Sequence, residues 1–227
     1  KELGADSAYI GWVGSDTYGD KMIQAIKEKG VDTTHLSQKE GKTAITYVEL
    51  IENDRNFGEY DEGVTANFAL TEEELDFIGT HQLVHAGIWG HVEGYYPLLK
   101  EKGLATSFDF SDQLDHSLVK TLSSFVDYAF FSYKKDDTYI RQFLKEINSI
   151  GAKITVATLG ENGSLAYDGE RFYQYGVVDA KVVDTMGAGD SFISGFIYGR
   201  LNGLSINECL KLGTETASKT IRYFGAW

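Results

Sequence analysis

Residues 182–195 read VVDTMGAGDSFISG. Gly187 and Gly189 flank Ala188 and are followed at once by Asp190. Glycine lets backbone N–H groups approach an anion without a Cβ in the way. Ser191, Phe192, Ile193, Phe196 and Ile197 continue with helical apolar spacing, so a helix begins here. The start of a helix adds unpaired donors and a partial positive charge. Such a place stabilises the negative charge that builds on a phosphoryl group in transfer. Asp190 falls in the first turn, where a carboxylate is tolerated. It supplies the proton acceptor that general-base activation of a hydroxyl requires.

Other phosphate motifs are excluded. A dinucleotide fingerprint needs glycine where Phe192 stands, and a Walker A loop ending in Gly41-Lys42-Thr43 needs glycine at Leu36. His85 and His91 are not at metal-binding spacing. A second glycine-rich stretch is Thr158-Leu159-Gly160-Glu161-Asn162-Gly163-Ser164. Its Asn-Gly pair favours a tight turn, and a plain hairpin would account for that much.

The elements that must position these residues alternate. Short apolar runs at 8–13, 82–87, 104–108, 126–131 and 154–159 read as strands. Helical patterns lie at 15–29, 71–78, 95–102, 114–124 and 136–150. Ser15 or Asp16 caps the first of these. Thr71 with Glu74, and Ser205 with Glu208, form capping boxes. A closing helix from about Ile206 is expected to split near Gly213. Residues 43–51 alternate in polarity and return through 55–60 as a hairpin, and 164–168 with 171–178 form another. Strands alternating with helices imply βαβ units and a parallel sheet.

Composition narrows the class. The chain has 227 residues, 42% of them apolar, enough for one α/β domain with a full core. No apolar run approaches the ~18 residues that span a membrane. A single cysteine, Cys209, excludes an intramolecular disulfide framework and reads as a core residue. The net charge of −13 argues against a nucleic-acid backbone as partner. No signal peptide opens the chain, and the reading is cytoplasmic. Lys1-Glu2-Leu3-Gly4 looks like a last helical turn closed by glycine.

Asp184-Thr185-Met186-Gly187-Ala188-Gly189-Asp190-Ser191-Phe192 resembles the C-terminal signature of the ribokinase-like (PfkB) carbohydrate kinases, Asp-Thr-x-Gly-Ala-Gly-Asp-x-Phe. The resemblance implies an α/β ribokinase-like fold. A central, mostly parallel sheet would be flanked by helices and carry a small β lid at about 43–68. Residues 1–227 would form one domain, with the family's first strand and its Gly-Gly-Asn segment missing ahead of it. Asp190 becomes the catalytic base, and Gly187, Ala188 and Gly189 the anion hole. Thr158, Gly160, Glu161 and Gly163 contact the nucleotide, with Asp184, Thr185 and Ala217 also on its side. His91, Arg55 and Asp109 join Asp190 around the sugar, although an exposed surface histidine accounts for His91 equally well, and a surface hairpin for the lid.

NDRNFGEYDEGV, HAGIWGH, SFDFSD and FVDYAFFS are similar to one branch of the family. In that branch the small-molecule partners are a sugar amine and ATP. ATP, Mg²⁺ and a K⁺ site near Asp184 and Thr185 are the cofactors implied, and a homodimer through the open lid face is compatible. Neither a nucleic acid nor a membrane is a partner. One departure stands out. The family's Asn-x-x-Glu, which organises Mg²⁺, is replaced by Ser132-Tyr133-Lys134-Lys135. Lysine cannot serve a cation. Asp136 or Asp137 takes over as metal ligand, or the nucleotide itself holds Mg²⁺. The rival readings are a kinase of another sugar or a nucleoside, and a non-catalytic sugar or nucleotide sensor.

Overall fold

The structure, a computed structural model, describes residues 1–51 and 54–225, without the side chains of 49–51 and 54–57. The chain divides into two compact units, Lys1–Ile78 and Gly79–Trp227. Among the described residues no helix is long and apolar enough to cross a membrane.

The first unit opens with β1 (Gly11–Gly14), α1 (Thr17–Glu28) and β2 (Leu36–Lys39). β1 and β2 pair in parallel. The sequence pattern did not signal β2, because it is short and mostly polar (LSQK). β3 (Ile45–Ile51) and β4 (Asp54–Asp61) form the antiparallel hairpin, and α2 (Glu72–Gly79) follows behind the Thr71–Glu74 capping box. The expected strict alternation of the hairpin is corrected by a bulge between Thr46 and Val48, which leaves Thr46 and Tyr47 both exposed.

Asp16 fastens the root of this hairpin. It caps α1 by accepting from the Gly19 N–H at 2.9 Å. Its carboxylate also accepts from the Thr43 N–H at 2.9 Å and from the Thr43 hydroxyl at 2.6 Å. These bonds, the Thr43 hydroxyl foremost, hold the Asp16 carboxyl down to about 2. At the other root, the Val64 N–H donates to the Lys42 carbonyl at 2.9 Å.

The second unit contains β5 (Leu83–Gly87), α3 (Tyr96–Glu101), β6 (Ala105–Asp109), α4 (Ser117–Leu122), β7 (Tyr128–Ser132), α5 (Thr138–Ile150) and β8 (Ile154–Thr158). β9 (Ser164–Tyr167), β10 (Phe172–Tyr175), α6 (Ala188–Leu201) and α7 (Ile206–Thr220) complete it. Six strands lie in the order β10-β9-β8-β7-β6-β5. β5 to β8 run parallel, and β9 and β10 add two antiparallel pairings. The long helix expected at 114–124 is only Ser117–Leu122 followed by one 3₁₀ turn, Ser123–Phe125. Residues 1–4 form a turn instead of a helical end.

Helices cover both faces of this sheet, so its central strands are apolar throughout. Neighbouring residues of β7 serve opposite layers. The Phe130 ring meets Phe196 of α6 edge-on at 5.4 Å, and Phe131 meets Phe143 of α5 edge-on at 4.8 Å. Cys209 is buried in the layer formed by α6 and α7, as its helical pattern predicts.

α7 is unbroken through Gly213, which corrects the expected split. Glycine is there because α6 crosses at that point. A Cβ on Gly213 would lie 2.8 Å from the Phe192 carbonyl oxygen, and a Cβ on Gly195 would lie 2.8 Å from Gly213 Cα. Gly195→Ala should therefore overpack the crossing and lower stability by about 1–3 kcal/mol. A urea titration reads this as a lower midpoint. An unchanged midpoint would show that the helices have room to spare.

Candidate active site

β6, β7 and β8 end at one edge of the sheet, where open α/β sheets bind ligands. Asp109 closes β6, and Ser132 and Thr158 are paired at the ends of β7 and β8. The Thr158 and Ser132 hydroxyls lie 3.3 Å apart.

The loop after β8 winds through one 3₁₀ turn, Gly160–Asn162. The Leu159 N–H closes it on the Gly163 carbonyl at 2.8 Å. Gly163 has a φ of 87°, and a Cβ there would lie 2.1 Å from the Tyr175 carbonyl oxygen, so only glycine fits. The Asn162 side chain donates to the Lys134 carbonyl at 2.8 Å and ties this loop to the one after β7.

The glycine turn of the sequence opens α6 as the spacing predicts. Gly187 is its N-cap in the left-handed region, φ 73°, with no side chain capping the helix. A Cβ on Gly189 would meet nothing within 4 Å. Glycine there leaves open space over the helix start and relieves no packing. The preceding residues are fastened from behind. The buried Asp184 carboxylate accepts from the Met186 N–H at 2.8 Å and the Gly225 N–H at 2.9 Å. The Ala188 N–H donates to the Thr185 carbonyl at 3.2 Å. Val183 and Asp184 donate to the Ile221 carbonyl, and the Ile221 N–H donates to that of Ala217. Ser191 and Thr220 join the two helices through their hydroxyls at 2.6 Å.

Asp190 occupies the first turn of α6. Solvent reaches it, yet surrounding protein raises its carboxyl above the ordinary value. Asp109 stands close enough to feel its charge. Burial pushes the Asp109 carboxyl up to about 6, repulsion from Asp190 and Asp112 adds to the rise, and the Ser111 N–H, donating at 2.8 Å, opposes it. Burial alone raises Asp190, whereas Asp109 feels the charge of Asp190 in addition to its own burial. Ser111 itself adopts a left-handed φ of 56°, strained for a residue with a Cβ.

The sheet edge thus brings together Asp109, the 158–163 loop and the 187–190 helix start. His91 lies in the turn after β5 with a φ of 52°. Ala217 packs beside the core on α7. Arg55 lies in β4, and its side chain falls outside the description. Asp136 does not fit a metal ligand. Arg141 engages both of its oxygens, at 2.6 and 2.5 Å. Asp137 caps α5 through the Ile140 N–H at 3.0 Å and pairs with Lys135 at 3.4 Å. No group of three or more His, Cys, Asp or Glu among the described residues could hold a metal ion. Sequence reasoning missed the Asn162 clamp and the Ser111 strain. Asn162 was legible as a turn residue, but its partner 28 positions away was not.

An open helix start with a carboxylate in its first turn suits an anionic group and a proton acceptor side by side. The profile of the pfkB family carbohydrate kinases matches residues 1–106 and 127–227. The chain belongs to that family and is a carbohydrate kinase acting on an alcohol group. It is 46% identical to fructoselysine 6-kinase of Escherichia coli (strain K12), over 99% of this chain and 86% of that protein. It is 33% identical to a fructosamine kinase of Bacillus subtilis (strain 168), over 100% of this chain and 81% of that one. The Arabidopsis thaliana ribokinase complexed with ribose and ATP superposes with a TM-score of 0.86 at 21% identity, covering 97% of this chain and 77% of that one. The fold is ribokinase-like.

The raised Asp109 carboxyl has a consequence for stability. A carboxyl whose folded pKa exceeds its unfolded value binds its proton more tightly when folded. It favours folding at low pH and withdraws that support as pH rises from the ordinary carboxylate value to about 6. Asp109→Asn should therefore melt above the wild type at pH 7, with the gap narrowing toward pH 4. A gap in melting temperature that ignores pH would discard this assignment.

Proposed function

We propose that the protein transfers the γ-phosphoryl group of ATP to the 6-hydroxyl of fructoselysine, with Asp190 as general base. The observation that carries the chemistry is Asp190 in the first turn behind the open start of α6. Support for the substrate comes from the 46% identity to a fructoselysine 6-kinase and the 33% identity to a fructosamine kinase.

In this reading the phosphates face the glycine turn at 187–189, where the helix start favours negative charge. The nucleoside lies toward Thr158, Gly160, Glu161 and Gly163, with Asp184, Thr185 and Ala217 behind it. The glycine turn is held from behind by Asp184 and Ile221, so its donors are oriented before the charge develops. The sugar hydroxyl attacks the γ-phosphorus in line and gives its proton to Asp190 as the P–O bond forms, and ADP leaves. The raised carboxyl makes Asp190 a better proton acceptor than an ordinary aspartate, provided that it is ionised. Asp109 and His91 serve as sugar contacts. Asp136 and Asp137 are engaged elsewhere, so no step is assigned to a metal held by the protein.

The test is coupled ADP release by the full-length protein with ATP and Mg²⁺, against fructoselysine, fructose and ribose in parallel. Fructoselysine should be strongly preferred. Preference for another sugar would keep the kinase chemistry and discard the substrate. Asp190→Asn should lower kcat by roughly 10²–10⁴ with little change in the KM for ATP. Near-normal turnover in that variant would remove the base assignment. In the wild type, kcat/KM should rise with pH through a value above the ordinary carboxylate range.

A further inference from the structure

The loops that follow β6 and β7 stand side by side at the sheet edge and line a cavity of about 830 Å³ that opens to solvent. The Ser132 N–H donates to the Ser111 carbonyl at 2.8 Å and stitches the two loops together. In the first loop the Gln113 N–H donates to the Phe110 carbonyl at 3.1 Å, and the His116 N–H to the Gln113 carbonyl at 3.0 Å. The second loop is held by the Tyr133 N–H on the Thr158 carbonyl at 2.9 Å and by the Asn162 clamp on the Lys134 carbonyl. The backbone of both walls is therefore fixed before a ligand enters, which lowers the cost of binding one.

The walls carry both signs of charge. Asp112 and Asp115 come from the first loop, Lys134 and Lys135 from the second. Lys135 is matched by Asp137 at 3.4 Å, and Asp112 accepts from the Gln113 side chain at 2.7 Å. Among the described residues neither Lys134 nor Asp115 has an ion-pair partner, although both line this one cavity. Tyr133 and Tyr139 line it too, their rings 5.6 Å apart. Burial, and after it the Asp115 charge, pushes the Tyr139 hydroxyl up, so Asp115 stands near the tyrosine wall. Opposite charges that share a cavity without closing on each other suit a ligand that carries both. A neutral sugar carries neither, and a polyphosphate would meet Asp112 and Asp115 with its own negative charge. The cavity also adjoins the reacting group: Asp112 lines it, and Asp109 feels the charges of both Asp112 and Asp190.

We propose that this cavity receives the α-amino-acid end of the lysine carried by the sugar-amine substrate, with Lys134 taking its carboxylate and Asp115 its ammonium. The tyrosines cover the chain that leads back to the sugar. The proposal rests on the reading of the site as a fructoselysine kinase. These contacts are made to a part of the substrate that does not react, so they bind the ground state and the transition state equally. Their loss therefore appears in KM for the sugar and leaves kcat in place.

The experiment compares the wild type with Lys134→Ala and Asp115→Asn by coupled ADP release. Three sugars are used: fructoselysine, its Nα-acetyl derivative, which lacks the ammonium, and fructose bearing a plain pentylamine, which lacks both charges. Lys134→Ala should lower kcat/KM for fructoselysine roughly 3- to 30-fold, between an exposed ion pair and a charged hydrogen bond, mainly through KM. It should leave the pentylamine compound nearly unchanged. Asp115→Asn should do the same and should bring fructoselysine level with its Nα-acetyl derivative. The KM for ATP should not move in either variant. Equal losses on fructoselysine and the pentylamine compound, no loss on either, or a rise confined to the KM for ATP would overturn this proposal alone. Turnover of fructose but not of fructoselysine by the wild type would overturn the substrate reading and this proposal with it.

Discussion

Gly187 turns the chain through a left-handed conformation, and α6 begins directly behind it. A residue with a Cβ is strained in that conformation. If the turn opened, the N–H groups at the helix start would no longer converge on the sheet edge, and Asp190 would move with them. The rest of the second unit can be understood as what keeps this turn in place. Asp184 holds it from below, Ile221 from behind, and the Ser191–Thr220 contact fixes α6 against α7. The glycine crossing at Gly195 and Gly213 brings those two helices close enough for that contact to form.

The electrostatics follow from the same placement. A helix start favours negative charge, and a carboxylate beside an incoming polyphosphate opposes it. Partial burial sets Asp190 between these influences as a base that is more easily protonated than an ordinary aspartate. Asp109 is displaced to about 6 chiefly by its burial, and repulsion from Asp190 and Asp112 adds to the rise. Two neighbouring carboxylates with different environments thereby acquire different tendencies to hold a proton.

Much of the fold was legible in the sequence because its strands are buried on both faces and its helices carry strong apolar stripes. Phe143, Leu144 and Ile147 mark α5 without ambiguity, and both capping boxes are formed. The misreadings have local causes. Gly213 looks like a helix breaker until the other helix that needs its missing side chain is known. β2 is too short and polar to show a period. The helix start and its carboxylate were legible because they are contiguous. Family resemblance set Asp109 and Asp190 together, but the repulsion between them was not legible, since it depends on where β6 ends and α6 begins in space. Asp136 looked available as a metal ligand because its engagement by Arg141 leaves no trace in a motif.

The knot at Asp16 gives the two units opposite responses to acid. A carboxylate held down to about 2 contributes its stability at any pH above the ordinary carboxylate range and loses it only as pH falls toward that value. Mild acidification therefore leaves the hairpin root of the first unit intact while it relieves the crowded charges of the second. Stronger acid reverses the order, releasing Thr43 and Gly19 from Asp16. Tryptophans fall in both units, Trp12 against Phe68 in the first, and Trp89 and Trp227 in the second. The tryptophans thereby report on neighbourhoods whose carboxyls respond to acid in opposite senses.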